Sequence, residues 1–287
     1  MLDVIQNHRL GLLEVAADGV PLWRYRYLNT PKPHVAWFAT PAGHNTALVS
    51  PHDHVHHRGL MLGFTVDDVN FWEETQTDQI PQTGSILHAA FPRLELEASR
   101  LTVDERLVWQ KGAEVYLEEQ RTLTVWIEPD ESAVRCDWTS QLHAVGQDRA
   151  LTGQTPHAEV TYHGLGYRFD RSLDWGGHHL TPQGRIQGPP DPGRTAPWHE
   201  YAGCLDGSHA PVGVWIGDAP GNPRHPTPWV CRSHPPTPFV LVSASLLAHD
   251  PYRLEPGQPL TLSYSIWVHD GHWTPDDGDR VWANAFR

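Results

Sequence analysis

Leu260-Thr-Leu-Ser-Tyr-Ser-Ile-Trp-Val-His269 is an extended segment with two unlike faces. Leu260, Leu262, Tyr264, Ile266 and Val268 fall on one side, and Thr261, Ser263, Ser265, Trp267 and His269 on the other. A period of two belongs to a strand with one buried face, whereas a helix repeats its apolar positions every three or four residues. Leu117-Glu-Glu-Gln-Arg-Thr-Leu-Thr-Val125 alternates the same way, with Glu119 and Arg121 on the face of Leu117, Leu123 and Val125. Further strands are expected near 93–98, 102–109, 133–143, 157–163, 212–217 and 238–246, several of them separated by Lys111-Gly112, Pro129-Asp130 and Pro256-Gly257 turns. Helices are scarce: one turn over Val69–Glu74 and a terminal helix over Asp277–Phe286 are expected. From about Asp170 to Ala210 the period disappears, which predicts a long loop, and such loops usually carry function.

The chain of 287 residues holds 24 glycines and 26 prolines with 19% charged residues, a globular composition rich in turns. A formal charge of −13 argues against a nucleic-acid partner. No segment approaches the roughly 20 apolar residues of a membrane span. The N-terminus lacks a secretory pattern, and Cys136, Cys204 and Cys231 form no CxxC pair, so a cytoplasmic protein with reduced thiols is expected. There is no GxGxxG, GxxxxGK[ST], HExxH or GxSxG motif, and no nucleotide cofactor is expected.

The densest chemical signal is Ser50-Pro-His-Asp-His-Val-His-His-Arg-Gly59. In an extended chain His52, His54 and His56 would share one face, with His57 opposite. Two histidines at i and i+2 form a workable pair for Zn, Fe, Mn or Cu, so His54 and His56 are candidate ligands of a divalent metal. Neutral histidines also serve as general acids and bases. Glu119 and Arg121, facing a core, form either a structural ion pair or a base with a substrate anchor. His157, Glu159, Thr161 and His163 alternate onto one face ahead of Gly164-Leu-Gly-Tyr-Arg168, and His88 stands alone in Gly84-Ser-Ile-Leu-His88. The proline-rich Asp218–Trp229 segment is expected to present Asn222, Arg224, His225 and Trp229, groups that suit a sugar.

Asp53-His-Val-His-His-Arg-Gly59, Asn70-Phe-Trp72, Gly84-Ser-Ile-Leu-His88, Glu119-Gln-Arg121, Gly164-Leu-Gly-Tyr-Arg168, Trp198-His-Glu-Tyr201 and Asp218-Ala-Pro-Gly-Asn-Pro-Arg-His-Pro226 occur in that order. Together they resemble the soluble bacterial PmoA-like family labelled methane oxygenase, from about Phe38 to His269. The resemblance implies carbohydrate processing by gene association. The family pattern has His-Pro where this chain has Ala219-Pro220, and Trp-His where it has Trp229-Val230, while His54, His56, His57 and Arg58 match.

The expected fold is all-β: one large antiparallel β-sandwich over 1–287, in its larger form a galactose-mutarotase-like supersandwich, with long loops and one or two short helices. The expected function is a cytoplasmic carbohydrate-processing enzyme of lyase, epimerase or hydrolase type. His57, Arg58, Glu119 and His163 would be catalytic. Trp72, His88, Arg121, Arg168, Asn222, His225 and Trp229 would hold a small-molecule carbohydrate. A metal enzyme built on His54 and His56, and a non-catalytic carbohydrate-binding protein, are the alternatives. Neither nucleic acid nor membrane is an expected partner, and a homodimer is compatible with the sequence.

Overall fold

A computed structural model describes residues 2–153, 160–188, 190–234 and 237–287. Among them the chain is mostly β, arranged as three antiparallel sheets with one α-helix and two 3-10 turns. The first sheet has nine strands in the order Leu2–Asn7, Leu12–Ala17, Val20–Arg26, His34–Phe38, Leu60–Gly63, Gly164–Arg168, Thr237–Ala244, Pro228–His234 and Arg194–Thr195. The second also has nine: Gly184–Ile186, His178–Thr181, Trp198–Cys204, Pro211–Asp218, Leu260–Asp270, Ala133–Ala144, Glu114–Glu128, Arg100–Lys111 and Ser85–Glu97. A four-stranded sheet carries Tyr252–Leu254, Arg149–Thr152, Thr65–Val66 and Val69–Asn70. The expected antiparallel sandwich is the observed architecture.

The alternating Leu260–Asp270 strand is central in the second sheet, hydrogen-bonded to Ala133–Ala144 on one side and Pro211–Asp218 on the other. Its even residues Leu260 to Val268 join Trp23, Tyr25, Leu60, Leu62, Tyr167 and Val242 of the first sheet in one core cluster. Its opposite face is buried too. Trp267 packs with Trp198, Trp215 and Val281 beneath the terminal helix Pro275–Ala285. That helix starts at Thr274, whose hydroxyl accepts from the Asp277 N–H while the Asp277 carboxylate accepts from the Thr274 N–H, a capping box that satisfies the first-turn donors.

Three expectations on the elements need correction. Val69–Glu74 is not a helical turn: Val69–Asn70 pairs as a strand, and the Asn70 side-chain Oδ1 then accepts from the Trp72 and Glu73 N–H groups at 2.8 Å each. An Asn that caps its own downstream amides ends regular structure. The Asp170–Ala210 stretch is not a bare loop but contains His178–Thr181, Gly184–Ile186, Arg194–Thr195 and Trp198–Cys204. The first two of these and Trp198–Cys204 edge the second sheet, where buried histidines replace the apolar residues that would have shown a period. Within 157–163, residues 160–163 form no strand, and His157 and Glu159 lie outside the described residues.

Candidate functional site

Cβ alternation gives the first sheet an outer face made of Met61, Gly166, Arg168, Leu241 and Ser243, since Gly166 pairs with Met61 and Ser243, and Arg168 with Leu241. Met61, Trp72, Phe239 and Leu241 form a separate apolar cluster there, with Tyr162 packed against it. Gly166 is required: a Cβ would lie 2.5 Å from Cη2 of Trp72, so only glycine lets the indole lie on the sheet. Trp72 stacks on His163, centroids 5.2 Å apart at 15°.

The histidine segment is not extended. His54 N–H donates to the Pro51 carbonyl and His57 N–H to that of His54, so two successive turns replace the expected alternation. The coil brings three rings together: His54 stacks on His57 at 4.8 Å, and His56 meets His57 edge-on at 4.4 Å. His52 remains exposed. The segment ends at Gly59, whose φ is +65 and where a Cβ would lie 2.3 Å from the Val35 carbonyl oxygen.

Lys32, buried and absent from any sequence pattern, joins this coil to the Trp72 loop. Its ammonium donates to the Trp72 carbonyl and to that of His56, and pairs with Glu74 at 3.1 Å. Glu74 in turn receives the Arg58 guanidinium in a bidentate pair. Burial pushes Lys32 down, countered by Glu74; burial pushes Glu74 up, but Arg58 and Lys32 outweigh it and hold the carboxyl low. Arg58 is thereby a clamp on the loop.

His56 Nδ1 lies 2.7 Å from the Glu73 carboxylate. His57, 1% exposed, and His163, 1% exposed, are kept neutral by burial, with His56 adding to the effect; His163 is pushed down to about 3. Arg168 is fully buried, its guanidinium 3.8 Å above the Phe239 ring, and burial lowers it to about 10, partly offset by Asp53 at 3.7 Å. Asp53 also pairs with His54 at 3.1 Å and with Arg171.

In this cluster His56 Nε2, both nitrogens of His57, Trp72 Nε1, His163 Nδ1 and all three guanidinium nitrogens of Arg168 are buried without a hydrogen-bond partner. Each such group costs on the order of 1–3 kcal/mol when left unpaired, and five neighbouring side chains share that state here. On the outer face of the second sheet Glu200 and His269, 3.4 Å apart, also carry unmatched buried atoms, as does Trp215 Nε1 on the residue paired with Glu200.

The remaining expected site residues lie elsewhere. Glu119 and Arg121 do not share a surface with His57 and His163; they are buried between the sheets. Arg121 donates to Glu119 through Nε at 2.7 Å and Nη2 at 3.0 Å, and Trp109 and Ser140 also donate to Glu119. Arg121 further donates to the Tyr25 hydroxyl and stacks over Trp138 at 4.3 Å. With a further bond to the Pro33 carbonyl, four of the five Arg121 N–H groups and all four Glu119 acceptor positions are matched, the state of a structural ion pair. His88 ends this network, 2.7 Å from Glu105, which also receives the Tyr25 hydroxyl. The Asp218–Trp229 segment is turned inward. Asn222 bonds Asp218, the Ser263 carbonyl and the Ser263 N–H at 2.7 Å each, and His225 Nδ1 lies 2.7 Å from Asp218. Arg224 donates to the carbonyls of Leu246, Asp250 and Pro251, and Trp229 to that of Ala196. These residues fasten a corner to the core instead of presenting groups to a ligand. Sequence reasoning missed Lys32, Glu73, Glu74 and Phe239; the Asn70-Phe-Trp72 motif running into two glutamates was the one available signal.

A groove of about 430 Å³ lies apart from this cluster, lined by Arg106, Val108, Glu118, Gln120 and His143 of the second sheet. At His54 and His56 no third ligand converges: among the described residues the one group of three metal-type donors is His179, His199 and Cys231.

An antiparallel two-sheet sandwich carrying a buried polar cluster on one outer face defines a β-sandwich protein. The chain belongs to the family of unknown function DUF6807, whose model matches residues 12–283. This corrects the resemblance to the PmoA-like methane oxygenase family, to which no match is found. No curated protein matches in sequence. Among solved structures, the galactosidase domain of alpha-galactosidase-sucrose kinase AgaSK is similar at TM-score 0.50 and 10% identity, over 94% of this chain and 42% of that one. The GH36 alpha-galactosidase AgaA from Geobacillus stearothermophilus follows at TM-score 0.48 and 11% identity, over 94% and 41%. A galactose mutarotase related enzyme from Lactobacillus acidophilus has TM-score 0.33 and 9% identity, over 94% and 97%. The chain thus spans less than half the length of the two galactosidases, and the likeness is one of fold.

Proposed function

We propose that the protein is a carbohydrate-active enzyme that moves a proton on a sugar or sugar derivative at the outer face of the first sheet. The observation that carries this reading is the convergence of His56, His57, Trp72, His163 and Arg168 with unmatched buried nitrogens. A saccharide, dense in hydroxyls that both donate and accept, is the ligand class such a surface suits, and the fold it shares with a galactosidase domain supports that class.

His56 is the proton carrier the geometry favours. Glu73 at 2.7 Å fixes the proton on Nδ1 and leaves the Nε2 lone pair free, the arrangement by which a carboxylate orients a histidine base. Neutral His57 and His163 offer hydrogen bonds to hydroxyls. Arg168, its charge poorly solvated, would hold an oxygen that becomes negative as the proton leaves. Glu73 acts through His56 and is a positioning residue.

The test begins with a saccharide panel, monitored for turnover. On the sugar that reacts, His56→Ala should lower kcat by roughly 10²–10⁴, the range for a positioned base. Glu73→Gln should retain more activity and shift the pH profile. Full turnover in His56→Ala would remove this assignment. A second reading, saccharide binding without turnover, is favoured by the strong depression of His57 and His163, since groups held neutral bind well and exchange protons poorly. Recovery of the ligand unchanged after long incubation would select it.

A further inference from the structure

Trp198-His-Glu-Tyr201 is a motif that the outer-face site leaves unused. Its alternation turns Glu200 outward and His199 inward, toward the other sheet. There His199 Nε2 lies 2.8 Å from His179 Nδ1 and 3.6 Å from Cys231 Sγ. The donor atoms of the three residues all fall within 4.8 Å of one another, and all three side chains are buried. They come from three strands of two sheets: His178–Thr181 and Trp198–Cys204 from the second, Pro228–His234 from the first. Tyr201 packs on His179 at 4.7 Å and Trp229 on His199 at 5.3 Å, which fixes both imidazole planes.

We propose that His179, His199 and Cys231 form a binding site for a thiophilic d10 cation, Zn²⁺ or Cu⁺, that ties the two sheets together at one end of the sandwich. Metal–nitrogen bonds of about 2.0–2.1 Å and a metal–sulfur bond of about 2.3 Å place tetrahedral or trigonal donors roughly 3.3–3.8 Å apart. The Cys231–His199 separation already falls in that range, and the His179–His199 pair needs to open by only about half an ångström. Thiolate with imidazole selects copper(I) or zinc over calcium, magnesium or manganese, which prefer oxygen. A cavity of about 10 Å³ lined by Thr181, Ala196, His199 and Trp229 adjoins the trio, close to the space of one water molecule and sufficient for a fourth ligand on Zn²⁺. Charge separates the two ions: Cu⁺ with one thiolate is neutral in this buried setting, whereas Zn²⁺ needs a bound hydroxide for the same balance. The site lies between the sheets and is independent of the outer-face cluster.

The experiment uses untagged full-length protein, first assayed for metal by mass spectrometry and then stripped and titrated with Zn²⁺ or Cu⁺ separately. One equivalent retained or taken up, with a rise in the thermal midpoint, is the expected result, and the ion that raises the midpoint more identifies the cation. Cobalt(II) in place of Zn²⁺ should give a thiolate-to-metal absorption band in the wild-type protein and none in Cys231→Ala. Failure of both ions to bind or to move the midpoint would overturn the proposal. So would a Cys231→Ala protein that keeps its metal, and if that variant does not fold, failure of the wild-type protein to take up one equivalent of either Zn²⁺ or Cu⁺ decides against the site.

Discussion

At the scale of single residues, the outer-face site depends on one missing methyl group. Gly166 sits beneath Trp72, and the 2.5 Å gap to Cη2 leaves no room for a Cβ. Gly166→Ala should therefore lift the indole off His163 and destabilise the fold by roughly 1–3 kcal/mol, the usual cost of overpacking. Urea unfolding measures the loss, and tryptophan fluorescence reports the displaced ring; an unchanged denaturation midpoint would show that Trp72 is not held as described. Residue chemistry was only partly legible in the sequence. The density of histidines at His52–His57 is legible because four imidazoles so close have no packing rationale, and the structure gathers three of them, His54, His56 and His57. Lys32 was invisible, because a lysine between two prolines carries no periodic signal and its partners come from two other loops.

At the scale of elements, alternation proved a reliable guide to faces and a poor one to partners. It placed Glu119 and Arg121 on the core side of their strand, where the structure has them. It could not show that Trp109, Ser140 and Tyr25 wait opposite, since those arrive from three other strands. The His52–Arg58 stretch reads as a turn in the sequence and the structure makes it two successive turns, but nothing in its composition fixes which histidine rings meet. The N-terminal strands Leu2–Asn7, Leu12–Ala17 and Val20–Arg26 were also missed, although they form one edge of the first sheet. Val20–Arg26 carries the strand period, with Trp23 and Tyr25 buried and Arg24 and Arg26 half-buried, so this strand was legible in the sequence.

At the scale of the whole molecule, buried histidines set the response to acid. His34, His57, His163, His179 and His199 are all pushed down by burial, His34 and His163 to about 3 and His179 to about 4. The unfolded chain takes up protons at these positions near pH 6.5, while the folded chain does not. The unfolded state thus binds more protons below that pH, and stability falls as pH falls from about 6.5 toward 4. Glu105 and Asp218, raised by burial, act in the opposite direction, because the folded chain protonates them first. Five groups against two leave a net loss. Each histidine contributes up to about 1.4 kcal/mol per pH unit, so several kcal/mol per unit are expected. Thermal midpoints across pH 7 to 4 should drop steeply; a flat profile would mean that these histidines are solvated.

The outer-face cluster and the groove of the second sheet make competing claims on a ligand, and a structure with a sugar bound separates them. The saccharide that gives the largest thermal shift should be co-crystallised with the protein. The outer-face account predicts sugar oxygens within hydrogen-bond distance of His56, His57, His163 and Arg168. A sugar seated instead in the groove of Arg106, Glu118, Gln120 and His143, with the histidine cluster untouched, would contradict it.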